Sequence, residues 1–210
     1  ANTGETYGVA ALEVTQANVE VTAVPEAQAG AEFTVDWTPT IHPRDFVTIV
    51  PAGTPSDTIG THMRADNPGE RTLTAPGDPG AYEVRYVLHV DKKVVGMHAI
   101  EVTDSQVEVT APDQVTSGAK FVAGWTPTIN TRDFITIVAA DAPEGEVGTH
   151  IRARDDTEGQ LTAPSAPGIY EVRYVVEDGR RKVGSKTVEV VAAEVELTGP
   201  DQVLTGANFQ

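Results

Sequence analysis

Cysteine is absent from this 210-residue chain, which removes disulfide frameworks, zinc–thiolate centres and thiol nucleophiles together. Aromatic residues make up only 6% of it, with two Trp, five Tyr and five Phe, so each large ring matters to any core it joins. Bases are scarce: 15 Lys and Arg stand against 31 Asp and Glu, a formal net charge of −16. Nucleic-acid and anionic-lipid binding draw on clustered cations, so neither is expected as a partner. No apolar run approaches the roughly 20 residues of a membrane helix, and no direct membrane insertion is expected. Recognisable catalytic signatures are missing as well. There is no Gly-x-Ser-x-Gly elbow, no His-Glu-x-x-His and no phosphate-cradling glycine loop, and the reading is of a non-enzymatic protein without a cofactor.

What the chain does have is a repeat. The run WTPTIHPRDFVTIV opens at Trp37 and WTPTINTRDFITIV opens 88 residues later at Trp125. The same offset joins Gly60-Thr61-His62 to Gly148-Thr149-His150, and PGAYEVRYV from Pro79 to PGIYEVRYV from Pro167. No insertion separates the copies, and such a fixed period is the mark of a modular array. GVAALEVTQANVEVTA from Gly8 and VELTGPDQVLTGANF from Val195 match interior stretches at the same spacing. The expected organisation is therefore 1–18 as the last strand of a preceding repeat, 19–106 and 107–194 as complete repeats, and 195–210 as the first strands of a following one. The acidity is shared, with 13 acids against 6 bases in 19–106 and 14 against 9 in 107–194.

Within a repeat, short runs alternate apolar and polar residues between Gly, Pro and Asp, the period-two pattern of half-buried strands. In the first copy this predicts strands near 19–23, 31–37, 45–50, 60–65, 70–75, 80–90 and 93–103. Phe33, Val35 and Trp37 share one face; Tyr82, Val84, Tyr86 and Leu88 share another, with Glu83 and Arg85 opposite. Fourteen prolines argue against long helices. Asp178-Gly179 predicts a tight type I′ hairpin turn in the second copy. The expected fold is all-β: two tandem antiparallel β-sandwiches, with partial repeats at both ends.

Trp-Thr-Pro at the end of the second strand (Trp37–Pro39, Trp125–Pro127) resembles the fibronectin type III pattern. So does Leu followed by Pro-Gly-x-Tyr-x-Val (Leu73 with Pro79–Val84, Leu161 with Pro167–Val172). Tyr82 and Tyr170 stand where immunoglobulin-like domains place a tyrosine-corner residue. The whole module, from W-x-P-x-I-x-x-R-D-F to Y-E-V-R-Y-V, resembles the repeats of proteobacterial proteins that carry a von Willebrand factor A domain and are labelled calcium-activated chloride-channel-like. That resemblance implies an extracellular, cell-surface or periplasmic location in a multidomain bacterial parent, and no activity for the repeat itself. The A domain's own Asp-x-Ser-x-Ser motif is absent.

Every aromatic except Tyr7 recurs at one repeat position, which assigns the rings to the framework and leaves no stacking platform for a ligand. His62 and Arg64, repeated as His150 and Arg152, lie two apart on one strand face and could hold an anion or acidic neighbour; a solvated face is the plainer reading. Arg44-Asp45 and Arg132-Asp133 precede the third strand, where the carboxylate could accept loop N–H groups and the Arg could bridge sheets or repeats. In the second copy Asp141, Glu144 and Glu146 crowd one loop and Asp155, Asp156 and Glu158 another, an oxygen-rich setting that suits calcium. The first copy retains only Asp57, Asp66 and Glu70 there.

These features together describe a structural or interaction array, a spacer, stalk or set of adhesive repeats. Its expected partners are the neighbouring repeats of the same parent chain. Two alternatives stand beside it: a fibre in which the terminal strands pair with other copies, and a ligand- or calcium-binding module that uses loops at one end of the sandwich.

Overall fold

The computed structural model describes residues 10–13, 15–66, 69, 71–194, 196, 198, 202 and 205. Sixteen strands and no helix are present among them, and the chain divides into two compact units of eight strands each. Each unit is a pair of sheets.

In the first unit the smaller sheet runs β1-β3-β6 (Glu20–Ala23, Glu32–Thr38, Arg71–Thr74) and is antiparallel throughout. The larger runs β2-β8-β7-β4-β5 (Glu26–Gln28, Val94–Thr103, Gly80–Val87, Phe46–Pro51, His62–Arg64). In the second unit β9-β11-β14 (Glu108–Thr110, Lys120–Thr126, Glu158–Thr162) faces β10-β16-β15-β12-β13 (Gln114–Thr116, Lys182–Val191, Gly168–Val175, Phe134–Ala139, Thr149–Arg152). Phe46 lies opposite Arg64 and Val87, as Phe134 lies opposite Arg152 and Val175. These are two antiparallel sandwiches of the immunoglobulin and fibronectin type III kind, the fold class expected from the strand pattern.

One strand escapes the alternation pattern. After β1, Pro25 supplies no N–H, and the chain leaves the smaller sheet to run parallel with β8 as β2, with Glu26 opposite Glu101. The Pro25 carbonyl accepts the Glu101 N–H at 3.0 Å. Three residues are too few for a periodic signal. Gly96 makes room for the crossing chain: Val19 donates to the Val95 carbonyl at 2.9 Å, and a methyl on Gly96 would run into the Val19 carbonyl. Gly184 stands in the same relation to Val107.

The inner faces form the cores. Val35, Trp37, Val47, Ile49, Val84 and Tyr86 in the first unit are sealed, and Ala123, Trp125, Ile135, Ile137, Val172 and Tyr174 repeat them. Burial of each such Val or Ile side chain contributes about 1.5–3 kcal/mol. Trp37 and Trp125 satisfy their indole N–H on Thr40 and Thr128 Oγ1, both at 3.0 Å. Tyr82 donates to the Asp78 carbonyl at 2.9 Å and Tyr170 to that of Ala166 at 3.0 Å, the bond that defines a tyrosine corner.

Two expectations change in detail. The outer face of the larger sheet is not solvated at β4 and β12, whose first five residues are all buried, because the following loop folds back over it. Arg85 and Arg173 therefore point away from the core and are buried all the same. The last hairpin is not a two-residue turn on Asp178-Gly179. It is a four-residue loop closed by Val176 N–H on the Arg181 carbonyl at 2.9 Å, with positive φ at Gly179 and Arg180. A register shift at Tyr174/Val175 offsets the strands there.

The stretch expected as the last strand of a preceding repeat is described at 10–13 and 15–18 and takes no strand conformation there. Its counterparts β8 and β16 lie against β7 and β15. Residues 195–210 lie mostly outside the described residues, as do Tyr7, Phe209 and Glu70.

Candidate functional site

The loops that follow β7 and β15 meet the loops that precede β4 and β12 at one end of each sandwich. At the centre of that end sits a buried carboxylate. Asp45, 1% exposed, accepts the His42 N–H (3.1 Å) and the Tyr86 hydroxyl (3.0 Å) on Oδ2, and the backbone N–H (3.0 Å) and ring Nδ1 (3.1 Å) of His89 on Oδ1. Asp133, equally buried, accepts Asn130 N–H (3.0 Å), the Tyr174 hydroxyl (2.8 Å) and Glu177 N–H (3.0 Å). The same tyrosine oxygens accept the N–H of Ile41 and Ile129. A carboxylate ties three segments of chain in each repeat.

The two centres differ in charge environment. At Asp45, burial pushes the carboxyl up, but the two His89 hydrogen bonds together with Tyr86 and His42 bring it below the ordinary carboxylate value. At Asp133, burial and the adjoining Glu177 carboxylate outweigh the donors, and it is held above that value. Burial beside these carboxylates raises both Tyr86 and Tyr174, so each hydroxyl keeps its proton and donates.

His42, Asp45 and His89 are the one group of three metal-capable side chains gathered together among the described residues. Their arrangement does not suit a metal. The two imidazoles stack with centroids 4.3 Å apart and planes 21° from parallel, so lone pairs in the ring planes do not aim at one point. Both Asp45 oxygens already hold two donors, and His42 Nδ1 takes the Arg44 N–H at 3.1 Å. An open pocket of about 270 Å³ adjoins the stack, lined by Ile41, Leu88, Val90 and Asp91 besides these residues.

Around this centre the cationic residues are arranged differently in the two copies. Arg132 Nε and Arg152 Nη1 both reach Glu177, at 3.4 and 3.1 Å, and Arg152 also donates to the Arg132 carbonyl. Arg152 covers the Phe134 ring at 4.0 Å, and His150 meets its edge at 5.2 Å. In the first copy Lys92 lies over Phe46 at 4.8 Å and His62 meets its edge at 5.8 Å. Both histidines also turn Nδ1 to a glycine carbonyl, Gly60 or Gly148. Arg44 and Arg64 are exposed and, among the described residues, their guanidinium groups pair with no carboxylate.

The six acidic-loop residues of the second copy, Asp141, Glu144, Glu146, Asp155, Asp156 and Glu158, are all exposed. They are not brought together as a ligand set, and Glu144 accepts the Lys182 N–H at 3.2 Å. Sequence reasoning missed His42, His89 and Glu177 because they occupy positions that do not recur between copies. It also missed the role of Arg85 and Arg173. Arg85 binds Glu83 (2.8 Å) and the carbonyls of Pro55 (2.9 Å) and Thr54 (2.7 Å), and Arg173 binds Glu171 (2.7 Å), Pro143 (2.7 Å) and Ala142 (3.0 Å). These bonds staple the loop that seals the outer face. Their recurrence in YEVRYV was the available signal.

No protein-family model and no curated protein sequence matches the chain. Among solved structures it is similar to the FN1–FN3 domains of chicken CNTN1, at 14% identity and a TM-score of 0.30, covering 85% of this chain and 69% of that one. It is similar also to the human OSCAR ligand-binding domain, at 13% identity and a TM-score of 0.30, covering 86% and 98%. The Yersinia pseudotuberculosis adhesin InvE is a third, at 14% identity and a TM-score of 0.33, covering 82% and 58%. Likenesses of this size carry no argument about function. No helix among the described residues is long and apolar enough to cross a membrane.

Proposed function

We propose that the chain is a non-enzymatic spacer or interaction array within a larger extracytoplasmic bacterial protein, each repeat acting as one load-bearing sandwich. The observation that supports this is where the recurring polar residues are spent. Asp45 and Asp133, Tyr86 and Tyr174, Arg85 and Arg173, and Thr48 and Thr136 are all buried, and each pair repeats the same bonds between strand and loop. Groups that a catalytic site would aim into a cleft are used to close the sandwich. The parent with a von Willebrand factor A domain, and the surface location, rest on the sequence pattern alone. The partners in this reading are neighbouring repeats of the same parent.

Single-molecule pulling of the whole chain tests it. Two unfolding events of similar force are expected, each releasing about 300 Å of chain, as 88 residues at roughly 3.6 Å each require. One event, or release without a resolvable force, would refute the independent load-bearing repeat.

A further inference from the structure

Residue 89 and residue 177 are the same repeat position, yet one is His and the other Glu. Their backbones are held identically, each N–H on its buried aspartate at 3.0 Å. In the second repeat the Glu177 side chain turns outward and is received by Arg132 and Arg152. In the first repeat the His89 ring turns inward onto Asp45 and stacks on His42. Arg64 lies opposite Phe46 as Arg152 lies opposite Phe134, and the Arg44 N–H is held by the side chain of residue 42 as the Arg132 N–H is held by that of residue 130, but position 89 supplies no carboxylate to them.

We infer that this end of the first repeat, at Arg44 and Arg64 beside His89, receives a carboxylate supplied by the acidic side chain of a peptide segment. The second repeat shows the geometry such a group takes, with one oxygen toward each arginine. Surrounding chemistry favours a peptide over a bare anion. Ile41 (43% exposed) and Val90 (80% exposed) flank the pocket beside His89 and offer apolar contact. The net charge of −16 opposes long polyanions at a distance, so a single acidic residue among apolar neighbours is the fitting ligand. Asp91 and buried Asp45 are the acids on the pocket wall; Lys92 adds positive charge near Phe46. Both arginines are solvent-exposed, which makes the contact weak and salt-sensitive. The role goes beyond spacing, which needs no ligand.

The test uses the full chain labelled with 15N and a capped Leu-Glu-Leu peptide, its Leu-Gln-Leu counterpart and sodium acetate as probes. The Glu peptide is expected to shift the Arg44 and Arg64 side-chain signals and the His89 signals with millimolar affinity, and the Gln peptide to do nothing. His89→Glu supplies the carboxylate internally, as the second repeat does, and should weaken binding about two- to fivefold, the worth of one such exposed pair. Glu177→His should open a second site at Arg132 and Arg152. Equal binding of the Gln peptide, acetate binding as tightly as the Glu peptide, or His89→Glu behaving as the parent would overturn the inference. None of these would touch the spacing role, which the pulling measurement decides separately.

Discussion

Replacing Arg85 with methionine should destabilise the first repeat more than Arg173→Met destabilises the second, although the two arginines make matching bonds. The side chains are 5% and 2% exposed, and their partners Glu83 and Glu171 are 15% and 20% exposed. Removing one member of a buried ion pair costs about 3–5 kcal/mol because the other charge is left without compensation. The lower end applies here, since the carbonyls of the loop regain water once it lifts. Among the described residues Glu83 pairs with no second cation, and the Arg85 hydrogen bond is the first cause of its depressed carboxyl. Glu171 keeps Lys182 at 3.2 Å. The expected losses are therefore about 3 kcal/mol for Arg85→Met and about 2 kcal/mol for Arg173→Met. At about 4–8 °C per kcal/mol for domains of this size, those are drops of about 12–24 and 8–16 °C in Tm. Urea titration followed by tryptophan fluorescence reads both, because each repeat holds one buried Trp. Amide exchange should also rise in 51–60 or 139–148, the loop each arginine staples. Adding Glu83→Gln to Arg85→Met should recover part of the loss, as it removes the stranded charge. The reasoning fails if both single variants stay within about 0.5 kcal/mol of the parent, or if the second repeat suffers more.

Gly96→Ala and Gly184→Ala should each cost about 2–4 kcal/mol, since the new methyl meets a backbone carbonyl that cannot rotate aside and the Val19–Val95 or Val107–Val183 hydrogen bond is lost with it; an unmoved urea midpoint would contradict this. The buried aspartates should titrate in opposite senses. Asp45, depressed in the folded state, contributes stability above its unfolded value that is lost as pH falls through the folded one; Asp133, raised, costs stability at neutral pH and returns it as pH falls through its folded value. Carboxyl 13C titration should find Asp133 protonating at higher pH than Asp45, and the reverse order would refute the assignment.

Much of the fold is legible in the chain. The 88-residue period and the alternation Phe33-Val35-Trp37 locate the long strands, because a period of two can face a core only one way. β2 is not legible, since three residues after a proline carry no pattern and its parallel partner lies about 75 residues on. Arg85 reads as a solvated strand residue because alternation reports which face a side chain takes, and says nothing about whether a loop returns to cover that face. At the candidate site, the place of Asp45 before β4 points to a loop carboxylate that accepts N–H groups. That Tyr86, 41 residues away, donates to it could not be read.

The sequence by itself determined the module, its all-β class and the set of rings that fill each core, for those follow from local periodicity and from recurrence at a fixed spacing. Only the tertiary structure decided which polar residues are buried and what they hold. It also decided that one substitution, His89 for Glu177, leaves two arginines open in one repeat and neutralised in the other. Those outcomes depend on pairing between segments far apart in the chain, and local pattern carries no record of it.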